Sequence, residues 1–238
     1  MGRVTVSAEG KTHTYYSYDL LGRVIKTTVN TDGDTDECIS TSQYNLNGSL
    51  VSETDAKGVT TDYTYDNLNR KTSEAKSGSD IETSALLTTY GYETNVTVNN
   101  GITTTTVPIA YTEKTTNQDG TVTSIKYSDK AGNLIKEVKG TVYTDYSYDG
   151  SGNQVVSYTG NTSDSKSTLS VALYNQEGEN YKNISEPAVS DGSYMIDSAS
   201  IVTTSEFDVN GNVTRKTDGN GNFTTYTYDN NGKVTAVD

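Results

Sequence analysis

The sequence predicts an all-β fold made of tandem hairpins, and three observations point to it. The chain holds 19 Tyr and many Thr and Val, the residues that suit a pleated, half-buried surface. Stretches of Ala, Leu, Glu and Lys at helical spacing are almost missing, so little is available from which to build helices. Finally, short Tyr-Asp-Gly motifs recur along the chain at a fixed interval.

The repeated segments are Tyr15-Tyr16-Ser17-Tyr18-Asp19-Leu20-Leu21-Gly22-Arg23, Asp62-Tyr63-Thr64-Tyr65-Asp66-Asn67-Leu68-Asn69-Arg70, Asp145-Tyr146-Ser147-Tyr148-Asp149-Gly150-Ser151-Gly152 and Thr225-Tyr226-Thr227-Tyr228-Asp229-Asn230-Asn231-Gly232. Weaker copies stand at Tyr44-Asn45, Tyr127, Tyr174-Asn175 and Phe207-Asp208. Tyr44, Gly48, Gly58 and Tyr65 are separated by 4, 10 and 7 residues, and Phe207, Gly211, Gly221 and Tyr228 repeat that spacing, giving a unit of 21 residues. Such a unit holds two short strands with a Gly-bearing turn after each, the size of one hairpin.

Each part of the motif has a mechanical reason. Asp in Tyr-Asp-x-x-Gly can accept hydrogen bonds from the amides ahead of it, while Gly takes the positive φ that closes a tight turn. Asn69 replaces Gly in one copy and is the next-best residue for left-handed geometry. The two rings of Tyr-x-Tyr lie two residues apart and therefore share one face, so stacked hairpins are expected to align Tyr with Tyr. Val4, Val24, Leu50, Leu134, Val213 and Val234, each two positions after the Gly, supply a second apolar row, and the two rows together are the expected core.

The array is read as one domain over residues 1–238, with irregular insertions at about 77–116 and 159–205. In the first, Asn99-Asn100-Gly101 reads as a turn between Thr- and Val-rich strands, Pro108 suits an edge or bulge, and Ser79 with Glu82 could cap a helical turn, although a strand fits better. Gly2-Arg3-Val4 stands 20 residues before Gly22-Arg23-Val24, and the last unit stops soon after Gly232-Lys233-Val234. Both ends are thus expected to fall inside repeats of a longer array, exposing strand edges suited to head-to-tail self-association.

Net charge excludes some partners and composition excludes some chemistry. At −13 the surface repels phosphate backbones and anionic lipid heads, and no basic stripe offsets this, so neither nucleic-acid binding nor membrane insertion is expected. Cys38 is the single cysteine and His13 the single histidine, which rules out an internal disulfide framework and leaves any Ser-His-Asp or Cys-His mechanism a single histidine within a strand. Asp32, Asp34 and Asp36 sit in an acidic loop that could attract a hard cation, but Gly33 is misplaced for an EF-hand and a solvated hairpin tip is the plainer reading. Six Asn-x-Ser/Thr sequons, at Asn47, Asn95, Asn161, Asn183, Asn212 and Asn222, are what an Asn- and Thr-rich chain produces by chance. No catalytic residue and no cofactor is assigned.

Tandem Tyr-x-Tyr-Asp-x-x-Gly-Arg units at this period resemble the YD-repeat, or rearrangement-hotspot (RHS), family, which includes bacterial polymorphic toxins, wall-associated proteins, insecticidal toxin complexes and teneurins. The likeness is strong at 2–72, 115–158 and 204–235. It implies hairpins joined edge to edge into a continuous, spiralling antiparallel sheet, an extracellular or cell-surface location, and a shell or stalk whose parent often holds a C-terminal toxin. The residues that match the repeat are Tyr16, Tyr18, Asp19, Gly22, Tyr44, Gly48, Tyr63, Tyr65, Asp66, Tyr146, Tyr148, Asp149, Gly152, Phe207, Asp208, Gly211, Tyr226, Tyr228, Asp229 and Gly232. The self-cleaving core motif of that family has no match here, so self-cleavage is not expected. A surface module that binds glycan or a protein partner through exposed Tyr rows is the other reading, and the burial of the tyrosines separates the two. A far-ultraviolet circular dichroism spectrum is expected to show a β signature, and one dominated by helix would overturn the fold class.

Overall fold

A computed structural model describes residues 4–9, 12–31, 37–78, 87–117, 119–164 and 166–238. The acidic loop carrying Asp32, Asp34 and Asp36, and the Ser79–Glu82 segment, lie outside the described residues. All regular structure among the described residues is β-strand, and the chain divides into two compact units.

The first unit comprises residues 1–91 and 113–124. Its strands are β1 (Val4–Glu9), β2 (Thr12–Tyr18), β3 (Val24–Thr31), β4 (Glu37–Tyr44), β5 (Leu50–Asp55), β6 (Thr60–Tyr65) and β7 (Lys71–Ser77), together with the start of β8 (Leu87–Asn99). Each strand pairs antiparallel with the next in sequence, from β1 through β8. The abundance of Thr has a local cause here, because hydroxyls meet across strands, as in Thr54 with Thr60 at 2.9 Å and Thr64 with Thr72 at 2.8 Å. No hydrophobic side chain is fully buried among this unit's described residues.

The second unit comprises residues 92–112 and 125–238. Following β9 (Thr104–Thr116) and β10 (Val122–Ser128), its strands are β11 (Leu134–Lys139), β12 (Val142–Tyr148), β13 (Gln154–Asn161), β14 (Ser167–Tyr174) and β15 (Asn180–Ser185). A small hairpin of β16 (Ala188–Ser190) and β17 (Ser193–Met195) follows, then β18 (Ile201–Phe207), β19 (Val213–Thr217), β20 (Phe223–Tyr228) and β21 (Val234–Val237). Consecutive antiparallel pairing continues from β10 to β15, resumes as β15–β18 across the small hairpin, and runs on to β21.

Among the described residues the fully buried apolar side chains all belong to this second unit: Val98, Ile109, Ile135, Val156, Leu169, Val171 and Ile184. Val24, Leu50, Leu134 and Val213 of the expected core row are only half-buried, and Val234 is exposed. The reason is layering. A single sheet shields one face of a side chain at most, whereas the end of the β8–β9 hairpin lies over β11, β12 and β14 and makes a second layer. Val156, Val171 and Ile184 face one another across β13, β14 and β15 beneath it.

Polar groups hold that second layer in place. Asp145 on β12 is 2% exposed; its carboxylate receives Lys136 Nζ at 2.8 Å and the Asn99 amide at 2.9 Å. Lys136 Nζ also donates to the Thr97 carbonyl at 3.0 Å and stands 4.6 Å from the centre of the Tyr143 ring. Gly101 is required by a close approach as well as by its φ of 84°, since a Cβ there would lie 2.8 Å from Leu169 Cδ2. The Tyr194 hydroxyl on β17 donates to the Asn100 carbonyl, so the small hairpin clasps the same turn. Opposite Tyr143 in the register stands Gly160, which leaves room for the ring to lie flat on the sheet.

Removing one partner of a buried ion pair strands the other without compensation. Asp145→Ala is therefore expected to cost about 3 kcal/mol of unfolding free energy in urea titration. Hydrogen exchange at the Asn99 amide should accelerate in the same variant.

Candidate functional site

The site is the repeating hairpin end, which comprises a turn, the bulge after it and a tyrosine reaching to the previous rung. Among the described residues eleven turns share one pair of backbone bonds, as in Gly22 N–H to the Asp19 carbonyl at 3.1 Å and Asp19 N–H to the Arg23 carbonyl at 2.9 Å. This is a type I turn closed by a left-handed residue, a common three-residue hairpin loop. The first position is Asp or Asn in every case, and the fourth is Gly, except for Asn69 with φ 61°. The sequence motif identified the Tyr-Asp turns; Asp55–Gly58, Asn117–Gly120 and Asp218–Gly221 use the same construction without the tyrosine.

The aspartates cap the turns. Asp19 Oδ1 accepts from the amides of Leu21 and Arg23, both at 2.9 Å, and Asp66, Asp149, Asp208 and Asp229 accept from the equivalent amides. The other carboxylate oxygen takes a side-chain donor from the residue after the Gly position. That donor is Arg23 Nε for Asp19 at 2.6 Å, Arg70 Nε for Asp66 at 2.8 Å, and Asn153, Asn212 and Asn222 Nδ2 for Asp149, Asp208 and Asp218. Sequence reasoning gave roles to the Asp and the Gly and carried Arg in the motif, but assigned this fifth position no function. Its signal was available, because Arg or Asn follows the turn in most copies.

A β-bulge follows each Tyr-Asp turn. Tyr18 stands opposite Val24 and Ser17 opposite Lys26, so Ile25 is skipped. The same step skips Val51, Thr72, Ile135, Val155, Tyr181, Thr214 and Thr235, each three residues after the left-handed position. A bulge of this kind bends the strand and increases its local twist.

The tyrosine before the turn connects neighbouring hairpins. Tyr44 Oη donates to the Val24 carbonyl at 3.2 Å, Tyr65 to Leu50 at 2.7 Å, Tyr148 to Leu134 at 2.8 Å, Tyr174 to Gln154 at 3.2 Å and Tyr228 to Val213 at 2.7 Å. Each acceptor lies two residues beyond the last paired residue of its strand toward the second hairpin: Lys26, Ser52, Lys136, Val156 and Arg215. The hydroxyl thus serves the carbonyl that the ladder abandons where the strands part. Rung-to-rung ring stacking is replaced by this contact, because neighbouring turn tyrosines are two strands, or roughly 10 Å, apart, beyond the 4.5–7 Å of ring pairs. The rings of Tyr16, Tyr18, Tyr63, Tyr65, Tyr146, Tyr148, Tyr226 and Tyr228 are all half-buried. Arg23 lies 4.5 Å over the Tyr44 ring and Lys71 5.5 Å over Tyr63, adding cation–π contact between elements of the first unit.

Electrostatics follow from the caps. The Arg23 amide lowers the Asp19 carboxyl and the Arg70 amide that of Asp66, while the Asn153, Asn212 and Asn222 side chains lower Asp149, Asp208 and Asp218 below the ordinary carboxylate value of 3.8. Burial pushes the Tyr148 phenol up. His13 sits half-buried within β2, opposite Ala8 and Asn30, and Cys38 is exposed on β4 with its thiol 3.7 Å from the Ser40 carbonyl. Among the described residues no group of three or more His, Cys, Asp or Glu side chains is placed to hold a metal ion.

The geometry recurs where the family comparison finds its match. Residues 44–80 and 207–238 match the RHS repeat model, and each segment begins on the Tyr44 or Phe207 that opens the 4-10-7 spacing. Two stretches of the chain therefore match RHS repeats. A comparison with curated proteins finds no match. Among solved structures, this chain is similar to a TcdB2-TccC3-Cdc42 crystal structure, at 14% identity and a TM-score of 0.40, with 91% of this chain and 13% of that chain covered. It is also similar to the Photorhabdus luminescens Tc holotoxin pore carrying a TccC3 D651A mutation, at 13% identity and a TM-score of 0.41, with 96% and 13% covered. A porin-like protein from Bacteroides uniformis aligns over 98% of this chain and 91% of its own length, at 13% identity and a TM-score of 0.28. This chain therefore spans about an eighth of the length of the two toxin-complex chains it matches.

Carboxylates whose pKa is depressed by folding stabilise the native state above their unfolded pKa, and that contribution disappears as pH falls through the folded value. The stability of the chain is expected to be flat from neutral pH to just above 3.8 and to decline below it as Asp19, Asp66, Asp149, Asp208 and Asp218 protonate. Urea midpoints measured at a series of pH values test this, and a midpoint unchanged down to pH of about 2 would contradict it.

Proposed function

We propose that this RHS-repeat array is a structural segment, part of the wall or stalk of a secreted or cell-surface protein, and that it catalyses no reaction of its own. The observation that carries this reading is the tyrosine linkage. The hydroxyls that an adhesive platform would offer to a ligand are bonded to the backbone of the preceding hairpin, and the rings are half-buried between rungs. Side chains used in this way tie each hairpin to the one before it.

The finer reading follows from the repeat family. In its parent the segment would help to enclose or present a C-terminal toxin or effector, with neighbouring repeats of the same chain as its first partners. Strand edges could also associate head to tail between copies. A role as a module that binds glycan or protein through exposed Tyr rows has less support, since the rows are not freely exposed.

Tyr65→Phe, Tyr148→Phe and Tyr228→Phe separate the two roles. Each removes one hydroxyl and leaves a backbone carbonyl unpaired, so a structural segment should lose about 1 kcal/mol per substitution in urea unfolding. The triple variant should lose roughly the sum, since the three hydroxyls share no strand and no hydrogen-bond partner. Unchanged stability in all three, combined with loss of saturable glycan binding shown by the wild-type chain, would favour the adhesive reading. Limited proteolysis of the parent protein tests enclosure, since the region C-terminal to the array should become cleavable when these hydroxyls are removed.

A further inference from the structure

The connection between β15 and β18 leaves the sheet. Where the turn Asp218–Gly221 alone joins β19 to β20, residues 186–200 carry the β16–β17 hairpin, whose strands pair only with each other among the described residues. Its two-residue loop, Asp191-Gly192, has φ of 50° and 72°, the type I′ geometry that an Asp-Gly pair favours. Val189, Met195 and Ile196 along the hairpin are exposed, so it is not packed into the core.

Polar ties hold this hairpin at two places. At its base the Glu186 amide donates to the Leu169 carbonyl at 2.7 Å, and the Ser200 hydroxyl donates to the Glu186 carbonyl at 3.2 Å. The Asp197 carboxylate accepts from the amides of Ala199 at 2.9 Å and Ser200 at 3.1 Å, so both ends of the excursion are pinned to each other and to β14. On β17 the Tyr194 hydroxyl donates to the Asn100 carbonyl, in the turn between β8 and β9. The sheet holds that same turn through a different residue, Asp145, which accepts from the Asn99 amide. Leu169 serves both arrangements, since its carbonyl anchors the base of the hairpin and its side chain fills the space against Gly101. Between the base and Tyr194 the chain passes through Glu186 at φ 53°, a left-handed conformation that costs energy in a residue other than glycine.

We infer that the β16–β17 hairpin is a movable clasp on the β8–β9 turn, closed by the Tyr194–Asn100 bond and hinged at Glu186 and Asp197. Closed, it keeps the turn seated on Leu169 and Asp145. Open, it leaves the turn held from the sheet side alone, and Leu169, which lies against Gly101, is the first core residue to be uncovered when the turn lifts. The β14–β15–β18 ladder takes no part in that motion and stays paired. A single directed bond on an otherwise unpacked hairpin suits such a device, because breaking it costs little. Pulling the turn off the sheet directly would instead take a donor from the buried Asp145 carboxylate, which costs more.

Native-state hydrogen exchange of the whole chain, resolved by residue, tests the clasp. Tyr194→Phe should speed exchange at the Asn99, Gly101 and Thr103 amides by roughly fivefold, the factor that one lost hydrogen bond produces. Amides of the β19–β20 ladder should keep their wild-type rates. Asp197→Ala loosens the base without altering a group that bonds to the turn, and should speed the same three amides. In the double variant their rates should match those of Tyr194→Phe alone, because both substitutions act through one contact. Turn amides that keep wild-type rates in either single variant would overturn the clasp. So would acceleration spread evenly over β11 to β20, which is general loosening, or effects that multiply in the double variant, which would make the two contacts independent.

Discussion

A backbone carbonyl left without a partner where two strands part is the constraint on which this molecule depends. Hairpins with a bulge and a three-residue loop splay at their ends, so the ladder between neighbouring hairpins stops short of the turn. In a protein of ordinary thickness such a carbonyl could be covered by a neighbouring layer. In a single sheet it must be met by something within the sheet. The phenol of the residue before the next turn has the required reach, and its ring rests on the strand it crosses, so one side chain supplies both apolar contact and a donor. The repeat period follows from that geometry, because the donor has to return each time the ladder stops.

This arrangement explains how a chain with so few hydrophobic residues can be ordered. Much of its cohesion resides in hydrogen bonds made by turn aspartates, threonine pairs and tyrosine hydroxyls, each worth little alone and repeated many times. The second unit adds a conventional device. There the β8–β9 hairpin end lies over the sheet, and a small apolar core appears with one buried ion pair at its margin. The two strategies coexist in one chain, and the described core residues lie entirely on the side of the second.

Much of this was legible in the sequence, and the reasons for the remainder are physical. The Asp and Gly of each turn were readable because φ and capping requirements are local and allow few residue types. The strand-turn-strand at Asn99-Asn100-Gly101 was readable for the same reason, and β8 and β9 flank it. Asp145 was not, since it stands one residue before a Tyr-x-Tyr motif, where Asp62 occupies the same place and is exposed. What distinguishes them is the layer above Asp145, a non-local fact. The tyrosines were expected to pack ring on ring, and the two-strand distance between them prevents it. The 159–205 stretch, read as an irregular insertion, contains a turn at Asn175–Gly178 and a Tyr174 linkage of the ordinary kind. The small hairpin inserted between β15 and β18 departs from the rule.

Where the motif carries no phenol, the sheet has a mechanical weakness. Phe207 stands before the Asp208 turn and has no hydroxyl to extend toward β15, while its counterparts Tyr174 and Tyr228 both donate. The boundary between β15 and β18 is further interrupted by the detour through β16 and β17 and has four residue pairs with no tyrosine linkage, whereas the three pairs of β19–β20 are supplemented by Tyr228. Under tension applied across the strands, a strip held together in this way fails at its least-stitched boundary. The second unit would therefore tear between β15 and β18, releasing two intact strips of hairpins.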